Sequence, residues 1–254
     1  MADTDRLRIA AVADIHFGRT QQGSLQNLFA SVPDVADVLL LCGDLTHHGL
    51  PDEATLLAKD LSFLRVPVLC VLGNHDHHSN QQEQIQQILE DAGIHVLDGD
   101  AEEIRGVGFA GVKGFASGFG TRVLEPWGES LIKTFVHEAV NESLKLEAAL
   151  ARLRNVPRVA LLHYAPIAET VEGEPLEIYP FLGSSRLEEP LNRFDVVATF
   201  HGHAHHGRPE GRTQTGLPVY NVSLPLMRSS APDGPAFRVV EVSCKPVVRP
   251  ERAT

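Results

Sequence analysis

One pattern constrains this sequence more than any other. Five times, a short apolar run leads directly into a cluster of Asp, Asn or His residues. Near-continuous apolar runs are typical of β-strands buried on both faces. Ligands of α/β proteins bind beyond the carboxyl ends of such strands, so we expect the five clusters to converge on one edge. The runs and clusters are 7–13 before Asp14-Ile15-His16, 37–42 before Gly43-Asp44, 66–72 before Gly73-Asn74-His75-Asp76, 159–162 before His163, and 195–200 before His201-Gly202-His203-Ala204-His205.

Helix-like segments separate most of these strands. The spacing of apolar residues and the flanking Pro and Gly predict helices over 51–64, 80–92, 129–154 and 184–193. Between 94 and 112, and again after 207, short strand signals suggest antiparallel sheet. This order predicts two mixed sheets packed face to face with helices outside. Because no repeat or linker divides the chain, we expect one domain over residues 1–254.

Composition narrows the choice of partners. The 254 residues are 43% hydrophobic and 22% charged, which suffices for a substantial core. No apolar run approaches the roughly 18 residues that span a bilayer, and the N-terminus lacks the basic charge of a signal peptide. We therefore expect a cytoplasmic protein without a membrane partner. The net charge of −11 disfavours duplex nucleic acid and favours a small substrate. The three cysteines are interpreted as reduced core residues.

Histidine is the outlier in the composition, with 13 residues against 3 Tyr and 1 Trp. A lone histidine at a strand end is usually an ordinary polar residue, but five such ends together favour a metal site. Imidazole and carboxylate donors suit manganese, iron or zinc. Two ions that share a carboxylate would use all seven candidate ligands, as in two-metal sites for phosphoryl transfer. The candidate ligands are Asp14, His16, Asp44, Asn74, His163, His203 and His205.

The ordered motifs resemble those of the calcineurin-like metallophosphoesterase superfamily. The resemblance is carried by Asp14-x-His16, Gly43-Asp44, Gly73-Asn74-His75-Asp76, His163 and Gly202-His203-x-His205, which span positions 14 to 205. The small bacterial phosphodiesterases of the superfamily share Gly-Asp-Leu-Thr and Gly-Asn-His-Asp with this chain. The resemblance implies the metallophosphoesterase fold, a four-layer α/β/β/α sandwich of two mixed β-sheets.

The resemblance also implies roles for individual residues. One metal would be held by Asp14, His16, Asp44 and His205, and the other by Asp44, Asn74, His163 and His203. Asp44 would bridge two divalent ions, with manganese favoured over iron or zinc, and a bridging hydroxide would attack phosphorus in line. His75 would protonate the leaving oxygen or stabilise the phosphoryl charge, and Asp76 would hold its ring in place. The alternatives are a packed imidazole for His75 and a turn or helix cap for Asp76.

The implied function is a metal-dependent hydrolase that cleaves a phosphodiester, with a cyclic nucleotide or another small phosphorylated molecule as candidate substrate. His163-Tyr164-Ala165-Pro166 differs from the His-His-x-Pro of many cyclic-nucleotide enzymes. The alternatives are a phosphomonoesterase with the same centre, a nuclease and a non-catalytic scaffold. The net charge argues against a nuclease, and the complete ligand set argues against a scaffold. No motif identifies substrate-binding residues, an oligomeric state, or roles for His47, His48, His77, His78 and the loops around Trp127 and Tyr179.

Overall fold

The computed structural model describes residues 5–232 and 234–245, and its core consists of two β-sheets packed face to face. The first sheet has the order β11-β1-β2-β3-β4. Strands β1 to β4 run parallel, whereas β11 joins the edge antiparallel to β1. The strands are β1 (Arg6–Val12), β2 (Val38–Cys42), β3 (Val68–Val71), β4 (His95–Val96) and β11 (Arg238–Ser243).

The second sheet has the order β5-β6-β7-β8-β10-β9. Its four inner strands are parallel, and the two edge strands pair antiparallel. The parallel strands of both sheets therefore have defined carboxyl ends at which loops can meet. The strands are β5 (Asp100–Ile104), β6 (Val107–Gly111), β7 (Arg158–Leu161), β8 (Val196–His201), β9 (Glu210–Arg212) and β10 (Pro218–Asn221).

Helices cover the outer face of each sheet. Those packed on the first sheet are α1 (Ser24–Phe29), α2 (Val32–Val35), α3 (Pro51–Leu61) and α4 (Gln82–Asp91), and those on the second are α5 (Ser130–Arg152) and α7 (Glu188–Arg193). Two more helices are α6 (Tyr179–Leu182) and α8 (Leu224–Ser230). Strand β2 shows how the layers form: Leu39 and Leu41 face the helices, whereas Leu40 faces the second sheet. The prediction of a four-layer sandwich of two mixed sheets is confirmed.

The three longest predicted helices are present with shorter ends, but the segment 184–193 is a 3₁₀ turn (Ser185–Leu187) followed by α7. The expectation of antiparallel sheet after residue 207 is only partly right. Strand β10 lies parallel to β8 and antiparallel to β9, while β11 joins the other sheet. Helix α8, between β10 and β11, was not expected. Pairing partners of short strands depend on tertiary packing, which local sequence does not encode. No described helix is long and apolar enough to cross a membrane.

Candidate metal centre

All seven predicted ligands follow the carboxyl ends of parallel strands. Asp14 and His16 come after β1, Asp44 after β2, and Asn74 after β3. From the second sheet, His163 follows β7, and the segment with His203 and His205 follows β8. Strands β1, β2 and β3 are neighbours in the first sheet, and β7 and β8 are neighbours in the second. Because the two sheets lie face to face, the loops that follow these strands meet at one edge.

The first donor group consists of Asp14, His16 and His205, whose ligand atoms all lie within 4.8 Å of one another. The Nε2 atom of His205 is 3.2 Å from Oδ1 of Asp14. His16 connects this group to the next one, because its Nε2 atom is 3.8 Å from Oδ2 of Asp44.

The second donor group consists of Asp44, His163 and His203, again with ligand atoms within 4.8 Å. Oδ1 of Asp44 is 3.3 Å from Nε2 of His163, which in turn is 2.9 Å from Oδ1 of Asn74. One oxygen of Asp44 therefore faces the first group and the other faces the second, which is the position a bridging carboxylate needs.

Backbone carbonyls fix which nitrogen of two imidazoles carries the proton. Nδ1 of His163 lies 3.1 Å from the carbonyl oxygen of Cys42, and Nε2 of His203 lies 3.2 Å from that of Phe181. A carbonyl only accepts, so these nitrogens donate, and Nε2 of His163 and Nδ1 of His203 are the nitrogens that remain for a ligand role. Nε2 of His163 faces the oxygens of Asn74 and Asp44.

This donor set fits a divalent cation. Nε2 of His163 lies 2.9 Å from an oxygen of Asn74 and 3.3 Å from an oxygen of Asp44, and Nδ1 of His16 is buried without any hydrogen-bond partner. Mixed imidazole, carboxylate and amide donors suit manganese, iron or zinc better than calcium or magnesium, which favour oxygen alone.

Burial keeps two imidazoles of the site neutral, and the pKa values of its two carboxylates are shifted in opposite directions. Burial lowers the pKa of His16 to about 4 and that of His203 to about 3, so both are neutral at pH 7. Burial raises the pKa of Asp14, but the hydrogen bond from His205 and the neighbouring imidazoles outweigh it and hold that pKa below the usual range. Burial raises the pKa of Asp44, with His163 opposing the shift.

Four of the candidate ligands have a left-handed backbone: φ is 55° at Asp14, 42° at His16, 51° at Asp44 and 69° at His203. Such a conformation costs a residue with a Cβ atom about 1–2 kcal/mol. These four are half of the eight non-glycine residues with positive φ in the described ranges. Backbone strain is thus concentrated where side chains must be aimed at one point.

Glycines allow the close approach of ligand side chains. A Cβ atom on Gly43, whose φ is +85°, would lie 2.4 Å from Nδ1 of His163. A Cβ atom on Gly202 would lie 2.5 Å from Oδ2 of Asp14. Both distances are shorter than real Cβ contacts, so any side chain there would displace a candidate ligand.

Asp76 lies beneath the site, and the expectation that it holds the ring of His75 is wrong. Asp76 is fully buried. Its oxygens accept hydrogen bonds from the backbone N–H groups of Leu45 (3.1 Å), Thr46 (2.8 Å) and Gly73 (2.8 Å), and from the Thr46 hydroxyl (2.6 Å). Asp76 thereby joins the loop that carries Asp44 to the loop that carries Asn74. Four donors around one carboxylate leave it no lone pair directed at His75.

His75 is positioned by backbone instead. Its Nδ1 atom donates to the carbonyl oxygen of His47 at 2.8 Å, and its ring centroid lies 4.4 Å from that of His16. Its own backbone N–H donates to Oδ1 of Asp44 at 2.8 Å. His75 thus stands beside the first donor group with its Nε2 atom available. His47 also has a ring nitrogen within 4.8 Å of those of His16 and His75.

Other contacts at the site gave no signal in the sequence. The carbonyls of His47, Phe181 and Cys42 act through backbone atoms, which residue type does not reveal. Buried His201 accepts from the Thr170 hydroxyl at 2.8 Å and so steadies the segment that carries His203. A supporting role for His201 could have been predicted from the sequence, because His201 belongs to the same histidine cluster as His203.

The fold is that of a metallophosphoesterase, and sequence comparison agrees. Residues 7–207 match the sequence model described as calcineurin-like phosphoesterase, so the chain belongs to that family. The predictions of the superfamily and, at the level of the family, of a hydrolase are confirmed. The ligand assignments of individual residues stay predictions.

Two curated relatives match in part. The chain is 29% identical over 110 residues to an uncharacterized protein MJ1162 of Methanocaldococcus jannaschii, covering 42% of this chain and 44% of that protein. It is 22% identical over 182 residues to the probable glycerophosphodiester phosphodiesterase GpdQ of Arcobacter nitrofigilis, covering 66% and 56%. The chain therefore spans about half the length of the curated relatives it matches.

Solved structures share the fold over nearly the whole chain. The phosphopantetheinyl hydrolase PptH from Mycobacterium tuberculosis superposes with a TM-score of 0.62 at 16% identity, covering 99% of both chains. The protein TT1561 of Thermus thermophilus gives a TM-score of 0.54 at 16% identity, covering 94% of this chain and 99% of that one. At this identity the likeness shows the fold alone.

Proposed function

We propose that this protein hydrolyses phosphodiesters of small molecules at a centre of two divalent metal ions. The observation that carries the proposal is the position of Asp44 between two donor groups, with one oxygen 3.8 Å from His16 and the other 3.3 Å from His163. A carboxylate with a purely structural role needs only one group of partners, whereas a carboxylate that bridges two metal ions must face two donor groups.

In this proposal each ion has four protein ligands. The first ion is held by Asp14, His16, Asp44 and His205. The second ion is held by Asp44, Asn74, His163 and His203. Manganese is the favoured metal, and the same donors suit iron or zinc. Bound divalent ions supply positive charge against the phosphoryl oxygens and activate water for attack on phosphorus.

His75 is the proposed general acid. Because its Nδ1–H is engaged by the His47 carbonyl, Nε2 is the nitrogen left to donate a proton to the departing ester oxygen. The bond from its backbone N–H to Asp44 holds this imidazole at a constant position relative to the bridging carboxylate.

A small diester is the proposed substrate. The net charge of −11 disfavours long polyanions, and one partial relative is named a probable glycerophosphodiester phosphodiesterase. The ratio of diester to monoester hydrolysis separates this function from that of a phosphomonoesterase with the same centre.

The test combines metal content per chain with hydrolysis of bis-p-nitrophenyl phosphate and p-nitrophenyl phosphate in added manganese. We expect two ions per chain and faster turnover of the diester. Asp44→Asn should lose metal and at least about 10²-fold in rate, the scale seen when a catalytic electrostatic group is removed. Asp52→Asn, at an exposed carboxylate paired with Arg19, is the control and should match the wild type.

Each other outcome is informative. Preference for the monoester would make the protein a phosphatase. Two ions without turnover of either ester, or full activity in Asp44→Asn, would refute the proposed function.

A further inference from the structure

Exposed apolar side chains are concentrated in two segments of the chain. Of ten large hydrophobic residues that are exposed in the described ranges, seven fall in two short segments, 124–132 and 176–181. Single exposed apolar residues are ordinary, but a concentration of them marks a binding surface. The seven are Leu124, Trp127, Leu131, Ile132, Leu176, Ile178 and Phe181.

A series of aromatic rings joins the second of these segments to the interior. The ring centroids of Phe181 and Phe135 are 6.2 Å apart, those of Phe135 and Phe115 are 5.0 Å apart, and those of Phe115 and Tyr164 are 5.7 Å apart. The rings meet at interplanar angles of 76°, 57° and 52°, within the tilted and edge-on geometries that aromatic pairs favour. These four residues are termed the aromatic wall.

Both ends of the aromatic wall meet the same candidate metal ligand. The ring of Tyr164 lies 4.5 Å from the ring of His203, and the carbonyl of Phe181 accepts from Nε2 of His203 at 3.2 Å. The aromatic wall therefore lies beside the second donor group, with Tyr164 in contact through its ring and Phe181 through its backbone carbonyl.

The wall changes from buried to open along its length. Tyr164 is 7% exposed, whereas Phe181 is 57% exposed. The Lys113 ammonium lies 4.8 Å from the ring centroid of Phe115 and 5.5 Å from that of Tyr164, and it donates to the Gly114 carbonyl. Phe181 is therefore the most exposed ring of the aromatic wall and has the largest surface left for a ligand, since Phe115 and Phe135 are half-buried.

We propose that the aromatic wall binds an aromatic group that stays esterified to the phosphate when the leaving group departs, with Phe181 as the residue that determines this specificity. The proposal rests on the proposed function. An aromatic ring in the ligand would continue the series of tilted ring contacts, and such a contact contributes about two- to twelvefold in affinity beyond burial of area. An alkyl group of similar area would gain the burial alone.

The experiment varies one ester group and keeps the leaving group constant. kcat/KM is measured for methyl, cyclohexyl and phenyl p-nitrophenyl phosphate, all of which release p-nitrophenolate. We expect the phenyl ester to exceed the methyl ester, and the cyclohexyl ester to fall between them. Phe181→Ala should reduce the phenyl-to-methyl ratio about fivefold, and Phe181→Leu should reduce the phenyl-to-cyclohexyl ratio.

Leu144→Ala is the matched control, because Leu144 is 56% exposed on α5, outside both apolar segments, and has no part in the aromatic wall. Its phenyl-to-methyl ratio should equal that of the wild type. Thermal unfolding of each variant checks that it folds. Because Phe181 is exposed, its replacement should leave the fold intact.

The outcomes separate the two proposals. Hydrolysis of the methyl ester with no preference for phenyl, or an unchanged ratio in Phe181→Ala, would overturn the role of the wall and leave the proposed function standing. Equal rates for phenyl and cyclohexyl esters would overturn its aromatic specificity. No hydrolysis of any of the three esters would overturn the proposed function and this inference together.

Discussion

Replacing Asp76 by Asn tests whether this residue joins the two loops of the site. The substitution keeps the shape of the side chain but turns one acceptor oxygen into a donor. If the oxygen that serves Leu45 and Gly73 is the one replaced, two buried N–H groups lose their acceptor. Each such loss costs about 1–3 kcal/mol.

Part of this loss in the free energy of unfolding is offset. Burial and the nearby Asp44 raise the pKa of Asp76, so removing its charge relieves an unfavourable desolvation. We therefore expect a net loss of about 2–3 kcal/mol in the free energy of unfolding. For a chain of this size, that lowers Tm by about 4–12 °C. The larger consequence is that the loops carrying Asp44 and Asn74 lose their common support, so manganese affinity should fall about 10- to 100-fold.

Two measurements separate stability from metal binding. Calorimetric unfolding in EDTA reports the fold without metal, and titration of manganese into the EDTA-free protein reports affinity. Asp60→Asn is the control: Asp60 is also buried and accepts from the backbone of Gly23 and Leu25, but it connects α1 to α3. It should lower Tm and leave manganese affinity unchanged. If Asp76→Asn binds manganese as the wild type does and loses only kcat, Asp76 acts on catalysis and not as a support.

Three further predictions follow from the site and its surroundings. His75→Ala should lower kcat by about 10²- to 10⁴-fold with metal content unchanged, because it lies in neither four-ligand set; metal analysis that showed loss would make it a ligand. Gly202→Ala should weaken manganese binding, since its Cβ atom would lie 2.5 Å from Oδ2 of Asp14. Gly93→Ala, with φ of +82° and open space around it, should cost only about 1 kcal/mol in a denaturant titration. Burial raises the pKa of Asp37, but bonds from Arg8 outweigh this and lower it, so its stabilisation is present above the ordinary carboxyl pKa and lost as pH falls. The difference in Tm between the wild type and Asp37→Asn should therefore shrink between pH 6 and pH 3, and a constant difference would contradict this.

Much of the candidate site followed from local sequence. Apolar runs that end in Asp14, Asp44 and His163 predicted buried strands with polar ends, and parallel strands in a sheet place such ends together. Helices over 51–64 and 129–154 were also predicted, and the structure has them as Pro51–Leu61 and Ser130–Arg152, because apolar spacing and proline position act within a few residues. The motif order then identified the superfamily, which the family comparison confirmed.

The roles of neighbours within a motif were not evident from sequence. Asp76 follows His75 in the chain, yet it faces Thr46 and Gly73, while His75 is held by the carbonyl of His47. Adjacent residues in a loop can point in opposite directions, and a backbone carbonyl has the same chemistry whatever its side chain. Sequence adjacency therefore suggested a partnership that three-dimensional geometry does not support.

By itself, the sequence determined the kinds of donor present and the strand ends that carry them, since residue type and apolar period are local properties. Only the tertiary structure decided that Asp44 faces both donor groups, that β10 pairs parallel with β8, and that Phe181 meets Phe135. Phe135 lies on α5, 46 positions before Phe181 in the chain. Contacts over such separations arise when sheets and helices pack, and the free energy of that packing is shared among many residues rather than encoded in any one segment.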